Sequence, residues 1–210
     1  MILFGQVRIV NKSKGESLRF QPENIESPKP AGLYIHVPFC VRKCPYCSFY
    51  SVADVSRVPA FVDALLTEIR LSQPTPFRFD SLYLGGGTPS LLTPQQIECV
   101  LKHTRRYFRF SKSVETTIEV NPGTLSPAYI GDLCMAGINR VNVGVQSFSD
   151  KNLRWLRRTH SVKDACRTLD QLRKNGFDNL GMDLIYGLPG QSIENWRSDL
   201  NRAIEYAPDH

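Results

Sequence analysis

Three of the six cysteines, Cys40, Cys44 and Cys47, fall within eight residues at a C-x3-C-x2-C spacing. They belong to Tyr34-Ile-His-Val-Pro-Phe-Cys-Val-Arg-Lys-Cys-Pro-Tyr-Cys47, directly after an alternating apolar run that reads as a strand, so they sit on a loop. Three thiolates suit a soft metal. Structural zinc wants four closed ligands, usually from two separated pairs, and this chain has no second pair. Cys99, Cys134 and Cys166 lie singly among Ile97, Val100, Leu133, Ala165 and Leu169 at helical spacing, and read as small buried hydrophobes. Three cysteines on an iron–sulfur cluster leave one iron without a protein ligand, where a substrate or cofactor can bind. A structural zinc or disulfide loop is the alternative that spacing alone leaves open.

The elements that must position this loop alternate along the chain. Strand patterns fall near 33–37, 80–84, 115–120, 140–145 and 179–185. Helical patterns fall near 57–72, 94–107, 126–136, 150–156, 162–175 and 192–206. Thr93-Pro94 and Ser126-Pro127 place a cap residue before a first-turn proline, and Gly137 and Gly176 stand where helices should stop. Regular β-α alternation implies an α/β fold with parallel strands and helical crossovers, in a doubly wound sheet or part of a (β/α) barrel. The polar residues favour the barrel. Each probable strand ends in groups awkward for a closed core: the cysteine loop, Gly85-Gly86-Gly87-Thr88-Pro89, Glu119-Val-Asn121-Pro122, Gly144-Val-Gln146-Ser147, and Asp183 before Tyr186-Gly-Leu-Pro-Gly190. Parallel barrels keep their sites at that C-terminal end of the strands.

Taken one at a time, these motifs say less. Three glycines expose backbone polar groups to a ligand, but the run lacks the parts of a dinucleotide or P-loop motif, and a tight strand-to-helix turn also accounts for it. Glu119, Gln146 and Asp183 have the chemistry to hold ribose hydroxyls. Arg158, with Lys151, Arg154 and Arg157, also reads as one of a solvated helix face.

Together and in this order, Tyr-Ile-His-Val-Pro-Phe-Cys-x3-Cys-x-Tyr-Cys, the glycine run, Ile-Glu-Val-Asn-Pro, Gly-Val-Gln-Ser-Phe and Met-Asp-Leu-Ile-Tyr-Gly-Leu-Pro resemble the radical S-adenosylmethionine (SAM) superfamily, in its coproporphyrinogen dehydrogenase and HemW-type haem-chaperone branch. The resemblance runs from about Leu33 to the C-terminus. It implies a partial (β/α) barrel with a [4Fe–4S] cluster on Cys40, Cys44 and Cys47. In that family the open iron binds SAM, and an electron cleaves it to methionine and a 5′-deoxyadenosyl radical. Matched by motif, Gly86, Gly87 and Thr88 contact the SAM amino group, Glu119, Gln146 and Asp183 position SAM, and Arg158 pairs with its carboxylate. Tyr34, His36 and Tyr46 flank the cluster by the same matching. The dehydrogenases typically carry a fourth cysteine where this chain has Phe49, so Cys47-Ser-Phe-Tyr-Ser looks more like the HemW type, although Ser48 replaces that type's usual aspartate. The implied partners are SAM, a tetrapyrrole (haem or coproporphyrinogen III) and a reducing electron donor. Oxygen-independent coproporphyrinogen III oxidation is the alternative function, and a cluster-binding module without catalysis is the third.

Size and composition set the remaining expectations. At 210 residues and 41% hydrophobic the chain can bury one substantial core, expected over residues 31–210. Residues 1–30 show no sustained periodicity and read as a poorly ordered extension without the features of a targeting peptide. No apolar run approaches membrane-spanning length, and cytosol is the default for reduced cysteines. A net charge of +6 and a pI near 9.1 suit anionic partners without implying nucleic acid. The basic cluster Lys102, His103, Arg105, Arg106 and Arg109 closes a helix, where cations complement the dipole. The family resemblance would start another core strand after Pro208-Asp-His210 and add a C-terminal domain, so a sheet edge and an apolar flank are expected to stand uncovered.

Overall fold

Apolar residues at every second position give the longer runs one greasy side, and six strands assemble into one sheet in the computed structural model, which describes residues 2–4, 31–72 and 75–210. The strands are β1 (Ile2–Phe4), β2 (Ala31–Val37), β3 (Arg78–Gly86), β4 (Arg109–Val120), β5 (Arg140–Gln146) and β6 (Leu180–Leu184). The expected extension at residues 1–30 lies outside the described residues except for β1, which pairs antiparallel with β2. From β2 to β6 every pairing is parallel, and spatial order equals chain order. A doubly wound sheet would reverse its order at a switch point, so sequential order selects the open, partial-barrel arrangement. Right-handed crossovers then lay all the helices on one face.

That face carries Leu33, Ile35 and Val37, Leu82 and Leu84, Ile118 and Val120, and Val141, Val143 and Val145, each 2% exposed or less. Burying each such side chain stabilises the fold by about 1.5–3 kcal/mol. Against it pack α1 (Val58–Leu71) through Val62, Leu65 and Ile69, and α2 (Pro94–Tyr107) through Ile97, Val100 and Leu101. Next come α3 (Pro127–Ala136), the short α4 (Asp150–Trp155), α5 (Val162–Lys174) and α6 (Ile193–Glu205). The expected caps are present: Thr93 and Gln96 form a reciprocal capping box, Ser126 caps α3, and Gly137 ends α3 at φ +88°.

β4 starts at Arg109, six residues before the expected strand, because Arg109 and Phe110 pair with Arg78 and Phe79. Phe79 is fully buried, with Phe108 edge-on at 5.6 Å and Phe110 at 5.7 Å. The aromatics of the basic cluster are thus used internally. Arg105 donates to the carbonyls of Ala136 and Gly137 at the end of α3, and Lys102 pairs with Glu98 at 2.7 Å. One expectation fails here: Cys99 and Cys134 are exposed and Cys166 is half-buried. Each is the helical neighbour of a buried residue (Val100, Leu133, Ala165), one step of about 100° round the helix from the core-facing stripe.

The last residues run beside β6, with Asp209 N–H donating to Leu180 O at 2.8 Å and Met182 N–H to His210 O at 2.8 Å. Ile193 and Ile204 of α6 are exposed. Among the described residues no helix is long and apolar enough to cross a membrane.

Candidate functional site

Because side chains alternate across a strand, the residues between the buried ones all face the other way, and sequential pairing lines them up in rows. Tyr34 stands beside Tyr83, Tyr83 beside Thr117, Thr117 beside Arg140, and Glu119 beside Asn142. This second face of the sheet is polar. At its C-terminal end the chain leaves β2 for the cysteine loop, which folds back so that Cys40 N–H meets Val52 O at 3.1 Å.

A cavity of about 190 Å³ opens between that loop and the strand ends. Cys40, Cys44 and Cys47 line it from one side, and Gly86, Gly87, Thr88, Glu119, Gln146, Arg158 and Asp183 from the other. Tyr46 lies in its wall as well. Residues that lie as far apart in sequence as Cys40 and Asp183 thus share one space. All six cysteines are free thiols. Among the described residues no group of three or more His, Cys, Asp or Glu side chains converges to hold a single metal ion.

Arg158 is the hub. Its Nη1 donates to Tyr46 Oη at 3.2 Å and reaches Cys44 Sγ at 3.7 Å. Its Nη2 donates to Gly144 O at 3.0 Å and to Asn121 Oδ1. Its Nε is buried without a hydrogen-bond partner. The helix-face reading of Arg158 therefore does not describe it, although Lys151, Arg154 and Arg157 are exposed.

Glu119 accepts from Tyr83 Oη at 2.8 Å and from Gly86 N–H at 2.9 Å. Burial pushes its carboxyl upward, which the two donors oppose. Asp183 accepts from Asn142 Nδ2 at 2.8 Å. Thr88 is buried, receives Asn121 Nδ2 at 2.9 Å and points its hydroxyl at Cys40 Sγ, 3.6 Å away.

The glycines are sterically required. At Gly87, whose N–H donates to Val37 O at 2.8 Å, a Cβ would stand 2.5 Å from the Phe39 carbonyl oxygen. Gly86 has φ +118°, and a Cβ there would meet the His36 ring at 2.6 Å.

Tyr34 does not line the cavity. It stacks on Tyr83 with ring centroids 5.8 Å apart, behind Glu119, and burial together with the Glu119 charge pushes its phenol up to about 12. Its Oη meets His36 Nδ1 at 3.2 Å, and His36 Nε2 donates to the Tyr50 carbonyl at 3.0 Å, tying the end of the cysteine loop to β2. Asn142 is a site residue that motif reading passed over, and Asn121, read only as part of a strand end, was given no role there. Asn142 was signalled by the alternation Arg140-Val-Asn-Val-Gly-Val-Gln146, whose polar positions share the cavity face.

The comparisons with known proteins agree with this geometry. The chain is 36% identical over 189 residues to the heme chaperone HemW of Haemophilus influenzae, covering 86% of this chain and 49% of that protein. It is 38% identical over 185 residues to Escherichia coli HemW, with the same coverage of each. The chain thus spans about half the length of the curated relatives it matches. Among solved structures it is similar to the E. coli coproporphyrinogen III oxidase HemN, a radical SAM enzyme, with a TM-score of 0.76 and 33% identity over 84% of this chain and 42% of that one. The Radical SAM superfamily pattern matches residues 34–203, which include every lining residue named above, and this chain belongs to that superfamily.

Proposed function

We propose that this chain is a HemW-like radical SAM protein: it holds a [4Fe–4S] cluster on Cys40, Cys44 and Cys47, binds SAM against the ends of β3 to β6, and handles haem. The observation that carries the reading is the shared cavity, where three free thiols face polar groups from four strand ends and Arg158. The donor set fits a cluster. Three free thiols carried by one loop line the same cavity, and thiolate is the ligand that iron–sulfur clusters take. When bound, the cluster would supply an open iron site for SAM and the electron for its reductive cleavage.

The chain's own residues bind and orient. The Arg158 guanidinium lines the cavity and offers a charge-assisted partner for the SAM carboxylate. Backbone groups of Gly86 and Gly87, with Thr88, meet the SAM amino group. Each Glu119 oxygen already accepts one hydrogen bond and keeps a lone pair, and Asp183 keeps its Oδ1, so both can accept from ribose hydroxyls. Tyr46 braces Arg158, while Tyr34 and His36 act from behind. A reducing electron donor and a cytosolic setting complete the reading, with residues 31–210 as the core and 1–30 as an extension.

Haem handling rests on the likeness to the HemW proteins and on Phe49 at the position of the fourth cysteine. The likeness to HemN favours oxygen-independent coproporphyrinogen III oxidation as the second reading. The half-length match leaves a third, a cluster-binding module that does not turn over SAM.

The test is anaerobic reconstitution of the wild type and of a Cys40/Cys44/Cys47→Ala variant, followed by iron content, 5′-deoxyadenosine after dithionite and SAM, and haem titration. Four irons and SAM-dependent 5′-deoxyadenosine in the wild type alone, with saturable haem binding, are expected. A cluster without 5′-deoxyadenosine leaves the module reading, a vinyl product from coproporphyrinogen favours the oxidase, and no cluster in the wild type overturns the proposal.

A further inference from the structure

Gln146 is one of three non-glycine residues with positive φ among the described residues, at +69°. Ser147 N–H donates to Val145 O at 2.9 Å across it, so β5 ends in a γ-turn of the rarer, strained hand. A conformation of that kind persists only where its surroundings over-determine it. The surroundings here come from α6, far along the chain. Asp199 is buried, and its carboxylate accepts from Ser147 Oγ at 2.7 Å and from Phe148 N–H at 2.8 Å. Ser147 is itself fully buried, and its Oγ accepts from Ser149 N–H at 3.2 Å and Asn152 Nδ2 at 3.1 Å. Both lone pairs of that hydroxyl are therefore occupied, and its proton goes to Asp199. Gln146 O accepts from Ile185 N–H at 2.9 Å, which fastens the turn to the strand end next door.

We propose that Asp199 is a positioning residue: through Ser147 and the Phe148 amide it holds the γ-turn that presents Gln146 to the SAM cavity. This rests on the reading of that cavity as a SAM site. Asp199 touches nothing in the cavity, and its effect passes through the turn alone. Asparagine at this position has one acceptor oxygen for two donors, so Asp199→Asn releases one of the two bonds while keeping shape. Ser147→Ala removes the hydroxyl link, together with the acceptor of Ser149 N–H and Asn152 Nδ2, and keeps the carboxylate on Phe148 N–H.

Asp199→Asn and Ser147→Ala are made in the wild type and in a Gln146→Gly background, reconstituted as the full chain. SAM affinity is read by equilibrium dialysis and amide exchange by mass spectrometry. Each substitution is expected to weaken SAM binding about tenfold in the wild type, the scale of one lost charge-assisted hydrogen bond. Neither should weaken it further in the Gln146→Gly background. Exchange should quicken over residues 146–149 while β4 keeps its protection. Equal losses in both backgrounds, or unchanged affinity and exchange, overturn the proposal. A wild type that binds no SAM removes the cavity reading instead. In that case the exchange result alone decides whether Asp199 holds the turn, because it needs no ligand.

Discussion

Arg157 sits just past α4 with φ +54°, where Arg158 N–H donates back to Leu153 O at 2.9 Å. This is a left-handed helix cap with a side chain where glycine is usual. Arg157 is exposed, so Arg157→Gly should stabilise the fold by about 1 kcal/mol by relieving that conformation, less glycine's entropic cost, measured as a shift in the urea midpoint. Arg158 would keep its place. At the other side of Arg158, His160 is buried with Nε2 donating to Val145 O at 3.2 Å, and burial followed by the Arg158 charge lowers its pKa to about 4. The unfolded chain takes up this proton near pH 6.5 and the folded chain only near 4. Stability is therefore full above about pH 6.5 and falls with pH by at most about 1.4 kcal/mol per unit until about 4. His160→Gln should flatten that part of a stability–pH profile from thermal or urea unfolding, and an unchanged slope would remove His160 as its source.

At the scale of elements, the strand ends and the cysteine loop hold one another. Gly87 is where β3 meets the loop, and its hydrogen could be replaced only by displacing the Phe39 backbone. Gly87→Ala should cost about 1–3 kcal/mol in equilibrium unfolding, the usual range for overpacking, and, on the proposed cluster reading, should weaken iron retention, because Cys40 follows Phe39. The helix ends were readable in advance since capping is local chemistry: Thr93, Ser126 and Gly137 act within four residues of themselves. The start of β4 was not readable, because Arg109 and Phe110 become strand only by pairing with Arg78 and Phe79.

Across the whole molecule, a sheet with helices on one face and polar side chains on the other separates stability from chemistry. Ile118 lies in the middle of the buried face, beside Leu84 and Val141 on the flanking strands and 0% exposed. Ile118→Ala should cost about 2–5 kcal/mol through lost burial and the cavity left behind. The neighbouring Glu119 faces the cavity, so Glu119→Gln should spare stability by comparison and register in SAM binding. Paired urea titrations and dialysis of these two variants would check the division, and equal destabilisation by both would contradict it.

By itself the sequence determined where the elements lie, apart from β1 and the start of β4, that they alternate as parallel α/β units, which loop carries the three thiols, and which motifs end the strands. Each of these follows from residue type and short-range spacing. Tertiary structure alone decided that strand order equals chain order, that Glu119 receives the Gly86 N–H from 33 residues away, that Tyr34 supports from behind, and that Asn142 joins the site. It also turned Cys99 and Cys134 to solvent and brought Asp199 of α6 under the Gln146 turn. The reason is physical: register and crossover geometry are settled by pairing and burial between distant segments, and no local pattern encodes which distant partner a side chain will meet.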